Sequence, residues 1–64
     1  MSKEGKFLIY CMERYRFAKN MTGRQVADFF ERYKVADYII KYFESMHTTS
    51  DECIISDIDE FVSA

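Results

Sequence analysis

The chain of 64 residues has no proline and only two glycines, Gly5 and Gly23. Proline and glycine mark the turns between the short strands of small β-proteins, so their scarcity argues against a β-sandwich or barrel. No apolar run approaches the roughly 18 to 20 residues of a membrane span, and the N-terminus does not resemble a secretion signal. We therefore expect a helical protein that stays in the cytoplasm and has no membrane partner.

Cysteine and histidine are also scarce, with only Cys11, Cys53 and His47 present. An isolated cysteine pair without a secretion signal predicts two reduced thiols, and both are expected to be small buried hydrophobic side chains. The three residues lack metal-ligand spacing, and the acidic residues of the C-terminal segment lack the pattern of a calcium-binding EF-hand loop. We expect no metal site and no cofactor.

No arrangement typical of catalysis is present. A Cys53–His47 nucleophile pair would need an orienting group and an oxyanion hole in a cleft, which so small a bundle can hardly enclose. Gly23 stands alone, so no phosphate-binding glycine loop is indicated. The sequence therefore predicts no catalytic residues, no small-molecule substrate and no enzymatic activity. His47 is expected to cap a helix end by hydrogen bonding to a carbonyl, with exposed recognition as the alternative.

What the chain does contain is apolar and aromatic side chains, at 48% and 17%, enough to fill a core despite its length. Apolar residues recur at helical spacing and predict an all-α fold, a compact bundle of four short helices in one domain over residues 1–64. The residues expected to face the core are Leu8, Cys11, Met12, Tyr15 and Ala18; Val26, Phe29, Phe30 and Tyr33; Val35, Ala36, Ile39, Ile40, Phe43 and Met46; and Ile54, Ile55, Ile58, Phe61 and Val62.

Several positions predict where these helices begin and end. The first should run from about Lys3 to Lys19 after an N-cap at Ser2, and Thr22 with Gln25 has the spacing of a capping box that opens the second. The third should follow a bend between Tyr33 and Asp37, although one continuous helix stays open, and should end at His47. Thr49 with Glu52 predicts a second capping box, and Ser56, Asp57, Asp59 and Glu60 of the fourth helix are expected to face water.

Charge is distributed unevenly along the chain. Residues 1–34 hold eight Lys or Arg against four Asp or Glu, or +4, and residues 35–64 hold one against seven, or −6, which sum to the net −2. This polarity could serve antiparallel packing within one chain, head-to-tail self-association or the steering of a charged partner.

The first predicted helix has apolar residues on two sides. If Leu8, Met12, Tyr15 and Ala18 face the core, then Phe7, Tyr10 and Phe17 lie about a quarter-turn or more away. Tyr10, Arg14 and Phe17 are of types found at protein–protein hot spots. We therefore predict a partner-binding surface formed by Phe7, Tyr10, Arg14, Phe17 and His47, for another protein or a second copy. The alternative is that this helix is central and buries all its aromatic residues.

Nucleic-acid binding is the second possible function, because the N-terminal half is rich in basic residues that could contact phosphates. They are Arg14, Arg16, Lys19, Arg24, Arg32 and Lys34. The acidic pI of about 5.2 and the acidic second half weigh against it, because both repel a phosphate backbone.

Segments along nearly the whole chain resemble a family of short uncharacterised bacterial proteins that form a domain of unknown function. They are Phe7-Leu8-Ile9-Tyr10-Cys11, Lys19-Asn20-Met21-Thr22-Gly23 with Val26, Asp37-Tyr38-Ile39, His47-Thr48-Thr49 and Ile54-Ile55-Ser56-Asp57-Ile58-Asp59. The resemblance implies an accessory protein, often encoded beside an ADP-ribosyltransferase-like toxin, and hence an antitoxin-like or chaperone-like companion. Similar proteins often have glycine where Lys34 stands. A lysine there disfavours a left-handed helix cap by about 1 kcal/mol and so weighs against the bend after Tyr33.

Overall fold

The computed structural model describes residues 2–64, so residue 1 of the predicted domain lies outside the described part. The helices are α1 Lys3–Ala18, α2 Gly23–Arg32, α3 Val35–Lys41, α4 Phe43–Met46 and α5 Asp51–Ser63. No strand occurs in this range, and the predicted all-α bundle is confirmed. Four of these helices have seven residues or more. The four-residue α4 is an additional short helix, because the third predicted helix is interrupted at Tyr42, whose φ of −106° and ψ of 24° depart from helical values.

Side-chain caps begin α1 and α2 as the sequence predicted. The Ser2 hydroxyl accepts a hydrogen bond from the Gly5 amide at 3.0 Å. Thr22 and Gln25 form a reciprocal capping box, with amide-to-side-chain distances of 2.8 and 3.1 Å. Each cap pairs amides that the first helical turn leaves without a partner.

The predicted capping box of Thr49 and Glu52 was wrong. The Thr49 hydroxyl donates to the Met46 carbonyl at 2.8 Å and so closes the end of α4. The N-cap of α5 is Ser50, whose hydroxyl accepts from the Cys53 amide at 3.3 Å. Either residue type can cap a helix, so composition alone did not decide between the two neighbouring positions.

The bend between α2 and α3 is confirmed, and Lys34 makes it. Its φ of 56° and ψ of 36° place it in the left-handed region. A side chain there costs about 1 kcal/mol relative to glycine. Lysine therefore occupies the position at which the resemblance implies glycine, and the chain turns there all the same.

The core forms where α1 meets α2, α3 and α5. Its buried side chains are Cys11, Tyr15, Val26, Phe30, Val35, Ile39, Met46, Ile54 and Ile58. Both cysteines are free thiols, as predicted.

Four residues expected in the core are exposed: Ala18, Tyr33, Ile40 and Cys53. Neighbouring residues of a helix point about 100° apart, so the residue after Ile39 and the one before Ile54 turn away from the core. Tyr33 and Ala18 lie at helix ends, where fewer neighbours can cover them.

The acidic C-terminal half meets the basic N-terminal half within this chain. Arg14 lies 3.9 Å from Asp51, and Lys19 lies 2.8 Å from Asp59. Asp51 meets α1 near Tyr10 and Arg14, and Asp59 meets it further along at Tyr15 and Lys19, so α1 and α5 run parallel. The antiparallel packing considered for the two charged halves is therefore wrong for this pair of helices. Asp59, which was expected simply to face water, instead accepts hydrogen bonds from Lys19 and from the Tyr15 hydroxyl, which lies 2.7 Å away.

Candidate functional site

Four predicted partner-binding residues form one surface of α1, here called the aromatic strip: Phe7, Tyr10, Arg14 and Phe17. Helical geometry places them within about 80° of arc beside the core-facing side. Phe17 is 65% exposed and Tyr10 is 44% exposed, whereas Phe7 is half-buried. The alternative in which α1 buries all its aromatic residues is therefore wrong, although α1 does contact three other helices.

Ring contacts and one cation join the aromatic strip from end to end. The rings of Phe7 and Tyr10 stack with centroids 6.4 Å apart and planes inclined by 21°. The guanidinium carbon of Arg14 lies 5.7 Å from the Tyr10 ring centroid and 5.8 Å from that of Phe17. Such cation–π contacts contribute about 0.5 to 1 kcal/mol at exposed sites. They hold the side chains in place, which lowers the entropy cost of binding.

Asp51, the first residue of α5, ties that helix to the aromatic strip. The Tyr10 hydroxyl donates a hydrogen bond to its carboxylate, and the Arg14 guanidinium approaches it. This hydrogen bond, together with slight desolvation and the Asp51 charge, raises the pKa of Tyr10. The carboxylate also lies at the positive end of the α5 dipole. Tyr10 is therefore held in a defined orientation while much of its ring stays exposed.

Phe43 connects the aromatic strip with His47, the fifth predicted residue. The Phe43 ring meets Phe7 edge to face at 5.5 Å and stacks on His47 at 4.5 Å with planes inclined by 8°. His47 Nδ1 lies 2.8 Å from the Phe43 carbonyl oxygen, which confirms the predicted cap at this helix end. The role of Phe43 as a bridge was missed, because its apolar character assigned it to the core. Its spacing of four from His47 was the signal that could have found it.

Within residues 2–64 no group of three or more His, Cys, Asp or Glu could hold a metal ion, and no buried side-chain polar atom lacks a partner. Burial, followed by the Asp51 charge, raises the pKa of Cys11 to about 12, so this thiol is a poor nucleophile at neutral pH.

Half of the basic residues considered for nucleic-acid binding are held by carboxylates of the same chain. Arg16 pairs with Glu13 at 3.0 Å, Lys19 pairs with Asp59, and Arg14 is close to Asp51. These cations are therefore partly neutralised before any phosphate approaches.

No helix in the described part of the chain combines the length and the apolar character needed to cross a membrane.

Comparison with known protein families gives a match along most of the chain. The model of a family described as "Protein of unknown function (DUF3791)" matches residues 6–64. No curated protein and no solved structure matches the chain. The resemblance to a family of unknown function is confirmed, whereas its bacterial origin and its toxin neighbour stay predictions. Because the match covers nearly the whole sequence, the protein belongs to the DUF3791 family.

Proposed function

We propose that this protein is a non-enzymatic interaction module that binds another protein through the aromatic strip and the adjoining His47 end. In its sharpest form, it is the antitoxin-like or accessory partner of an ADP-ribosyltransferase-like bacterial protein encoded beside it, and it acts in the cytoplasm. The observation that carries the proposal is the exposure of Tyr10 and Phe17 on either side of Arg14, on the helix at the centre of the bundle.

The residue types of this surface and the fixed orientation of their side chains support protein binding. Tyrosine and arginine are enriched among residues that dominate interface energies, and such residues act best when they are already oriented. Tyr10 is oriented by Asp51, and Arg14 is oriented by the two rings beside it. A partner would therefore meet side chains that need little rearrangement.

The size of the protein limits the form of the interface. A standard interface covers about 800 Å² on each partner, roughly a sixth of the 4555 Å² accessible surface of this protein. An aromatic side chain offers about 150 to 250 Å² when fully exposed, and Phe17 and Tyr10 are only 65% and 44% exposed, so the aromatic strip alone offers less than that. We therefore expect the interface to continue over Phe43 to His47, with the exposed aromatic residues near its centre.

Co-expression with the neighbouring gene product tests the proposal. The two proteins should elute together from a sizing column. The double substitution Tyr10→Ser and Phe17→Ser should abolish the complex, because both exposed rings are lost, and should leave the helical circular dichroism spectrum in place.

A matched control is the double substitution Ile40→Ser and Tyr42→Ser. These residues are 46% and 45% exposed but lie on α3 and at its end, not on the aromatic strip. The control variant should still form the complex. Separate elution of the wild-type proteins, or equal loss in both double variants, would refute the proposed surface.

Nucleic-acid binding receives less support. Arg14, Arg16 and Lys19 already have carboxylate partners, and α5 adds an acidic exposed side. Phosphate binding would have to displace these contacts, which lowers its net gain.

A further inference from the structure

The aromatic strip extends toward the N-terminus in a regular pattern. Lys3, Phe7, Tyr10, Arg14 and Phe17 follow one another at spacings of 4, 3, 4 and 3, all within α1. This alternation averages 3.5 residues, the spacing of the seam along which one α-helix packs against another. The seam is about 21 Å long at 1.5 Å per residue. Its geometry therefore suits a helix as the binding partner.

The fold itself favours the same mode of recognition. Peptides bind proteins mainly by adding a strand to a sheet edge or by laying a helix or a polyproline segment along an apolar surface. Since residues 2–64 include no strand, no sheet edge is offered there. A helix that packs along α1 can make the side-chain contacts that the seam presents.

Among the described residues, three cations at this surface, Lys3, Lys6 and Arg14, outnumber the one carboxylate that contacts it, that of Asp51. Lys3 and Lys6 are exposed and make no ion pair in the described part of the chain, and Arg14 has only the 3.9 Å contact with Asp51. Lys3 and Arg14 lie on the seam, and Lys6 lies at its edge. None of the five seam positions carries an acidic residue.

We propose that the aromatic strip binds an acidic amphipathic helix of the partner protein. This inference rests on the proposed function and names the chemistry of the partner. Apolar residues of the incoming helix cover Tyr10 and Phe17, and its carboxylates meet Lys3, Lys6 and Arg14. Electrostatic complementarity of this kind determines which partner is accepted and speeds association.

A second copy of this chain fits less well. In a two-fold interface the same surface appears on both sides, so the cations of two seams come together, and the Asp51 carboxylate beside them already contacts Tyr10 and Arg14 of its own chain. Nucleic acid also fits less well, because Asp51 lies against Tyr10 and Arg14 and would repel a continuous line of phosphates. A partner helix can place its carboxylates beside the cations and away from Asp51.

Selection from a displayed library of helical peptides tests the chemistry and does not require the natural partner. The library holds peptides of about 20 residues with randomised apolar and polar faces, and the intact protein serves as bait. We expect the enriched peptides to be net negative with apolar residues at spacings of three and four. Enrichment should disappear when the bait carries Tyr10→Ser and Phe17→Ser.

Reversing the charges of Lys3 and Lys6 tests the inference quantitatively. The double substitution Lys3→Glu and Lys6→Glu should weaken binding of an enriched peptide about tenfold in fluorescence anisotropy at roughly 0.1 M salt, since two attractions become repulsions. The matched control is Lys41→Glu, at an exposed lysine of α3, which should leave the affinity unchanged.

Each contrary result overturns the inference. Enrichment of neutral or basic peptides, no enrichment, or insensitivity to the lysine reversals excludes an acidic helix. Tighter binding of a labelled single-stranded oligonucleotide assigns the surface to nucleic acid. Dimerisation in sedimentation that Tyr10→Ser and Phe17→Ser removes assigns it to a second copy. If the inference fails while the neighbouring protein still binds through Tyr10 and Phe17, the proposed function stands and only the partner chemistry is wrong.

Discussion

Replacing Tyr15 with Phe would test how the two charged halves of the chain are joined. Tyr15 is buried at 4% exposure, and its hydroxyl donates to the Asp59 carboxylate at 2.7 Å. The substitution removes only that hydroxyl. The ring contacts with Phe29 and Phe30, at 5.4 and 5.8 Å, remain. The free energy of unfolding should therefore change only through the hydrogen bond between α1 and α5.

The expected loss is about 1 kcal/mol. A hydrogen bond to a charged group contributes about 1.5 to 3 kcal/mol when it is well shielded. The Asp59 side chain is 40% exposed and keeps its 2.8 Å contact with Lys19, so water and Lys19 compensate for part of the loss. In a domain of this size, about 1 kcal/mol lowers the melting temperature by roughly 4 to 8 °C.

Urea unfolding followed by circular dichroism at 222 nm measures this loss, and a double-mutant cycle with Asp59→Asn assigns it to the pair. Tyr42→Phe is the control, because the Tyr42 hydroxyl makes no hydrogen bond within residues 2–64 and should be dispensable. Stability equal to that of wild type, or an equal cost of Tyr15→Phe with and without the Asp59 carboxylate, would refute the reasoning.

The Tyr15–Asp59 pair also makes the stability difference between wild type and Tyr15→Phe depend on pH. Burial, then the Asp59 hydrogen bond, raises the pKa of Tyr15 above 10.0. The contribution of protonated Tyr15 to the free energy of unfolding is complete below pH 10 and is lost as the pH rises through the pKa of the folded state. Burial alone would raise the pKa of Asp59, but hydrogen bonds from Lys19 and Tyr15 and the Lys19 charge lower it below 3.8 overall. That contribution is present above about pH 4 and is lost as the pH falls, so wild type and Tyr15→Phe should differ most between these limits.

Two further predictions concern single positions. A thiol reagent at pH 8 should modify exposed Cys53 quickly and buried Cys11 only after unfolding. In mass spectrometry, Cys53→Ser should therefore show almost no rapid labelling. Rapid modification of both thiols would contradict the burial of Cys11. Lys34→Gly should raise the free energy of unfolding by about 0.5 to 1 kcal/mol, because glycine adopts the left-handed conformation without strain. Lys41→Gly, at the end of α3, should lower it. A lower free energy of unfolding in both variants would contradict the strain at Lys34.

Local signals in the sequence were sufficient for most helix ends. Ser2 and the pair of Thr22 and Gln25 act within four residues of the chain, so their hydrogen bonds follow from spacing alone. The choice of Ser50 over Thr49 depends on how the preceding helix ends, which the spacing does not record. The interruption at Tyr42 likewise lacks a glycine or proline, and it turns Phe43 toward Phe7 of α1.

The candidate site was predictable as a set of residues but not as a connected surface. The spacing along α1 identified Tyr10, Arg14 and Phe17 as neighbours, because helical periodicity determines which side chains share a side. The contact between Asp51 and Tyr10 joins residues 41 positions apart and depends on the parallel packing of α1 and α5. No sequence period encodes such a contact.

The exposure of the aromatic strip follows from the unequal lengths of the helices around α1. The neighbours α2, α3 and α5 cover the side that carries Cys11 and Tyr15. The strip is approached by Asp51 at the start of α5 and by α4, whose four residues span about 6 Å and reach Phe7 through Phe43. Phe7 is accordingly half-buried, while Tyr10 and Phe17 extend beyond the reach of α4. The proposed partner helix, laid along the strip, would cover α1 where α4 ends, and α1 would then be both the centre of this bundle and its binding surface.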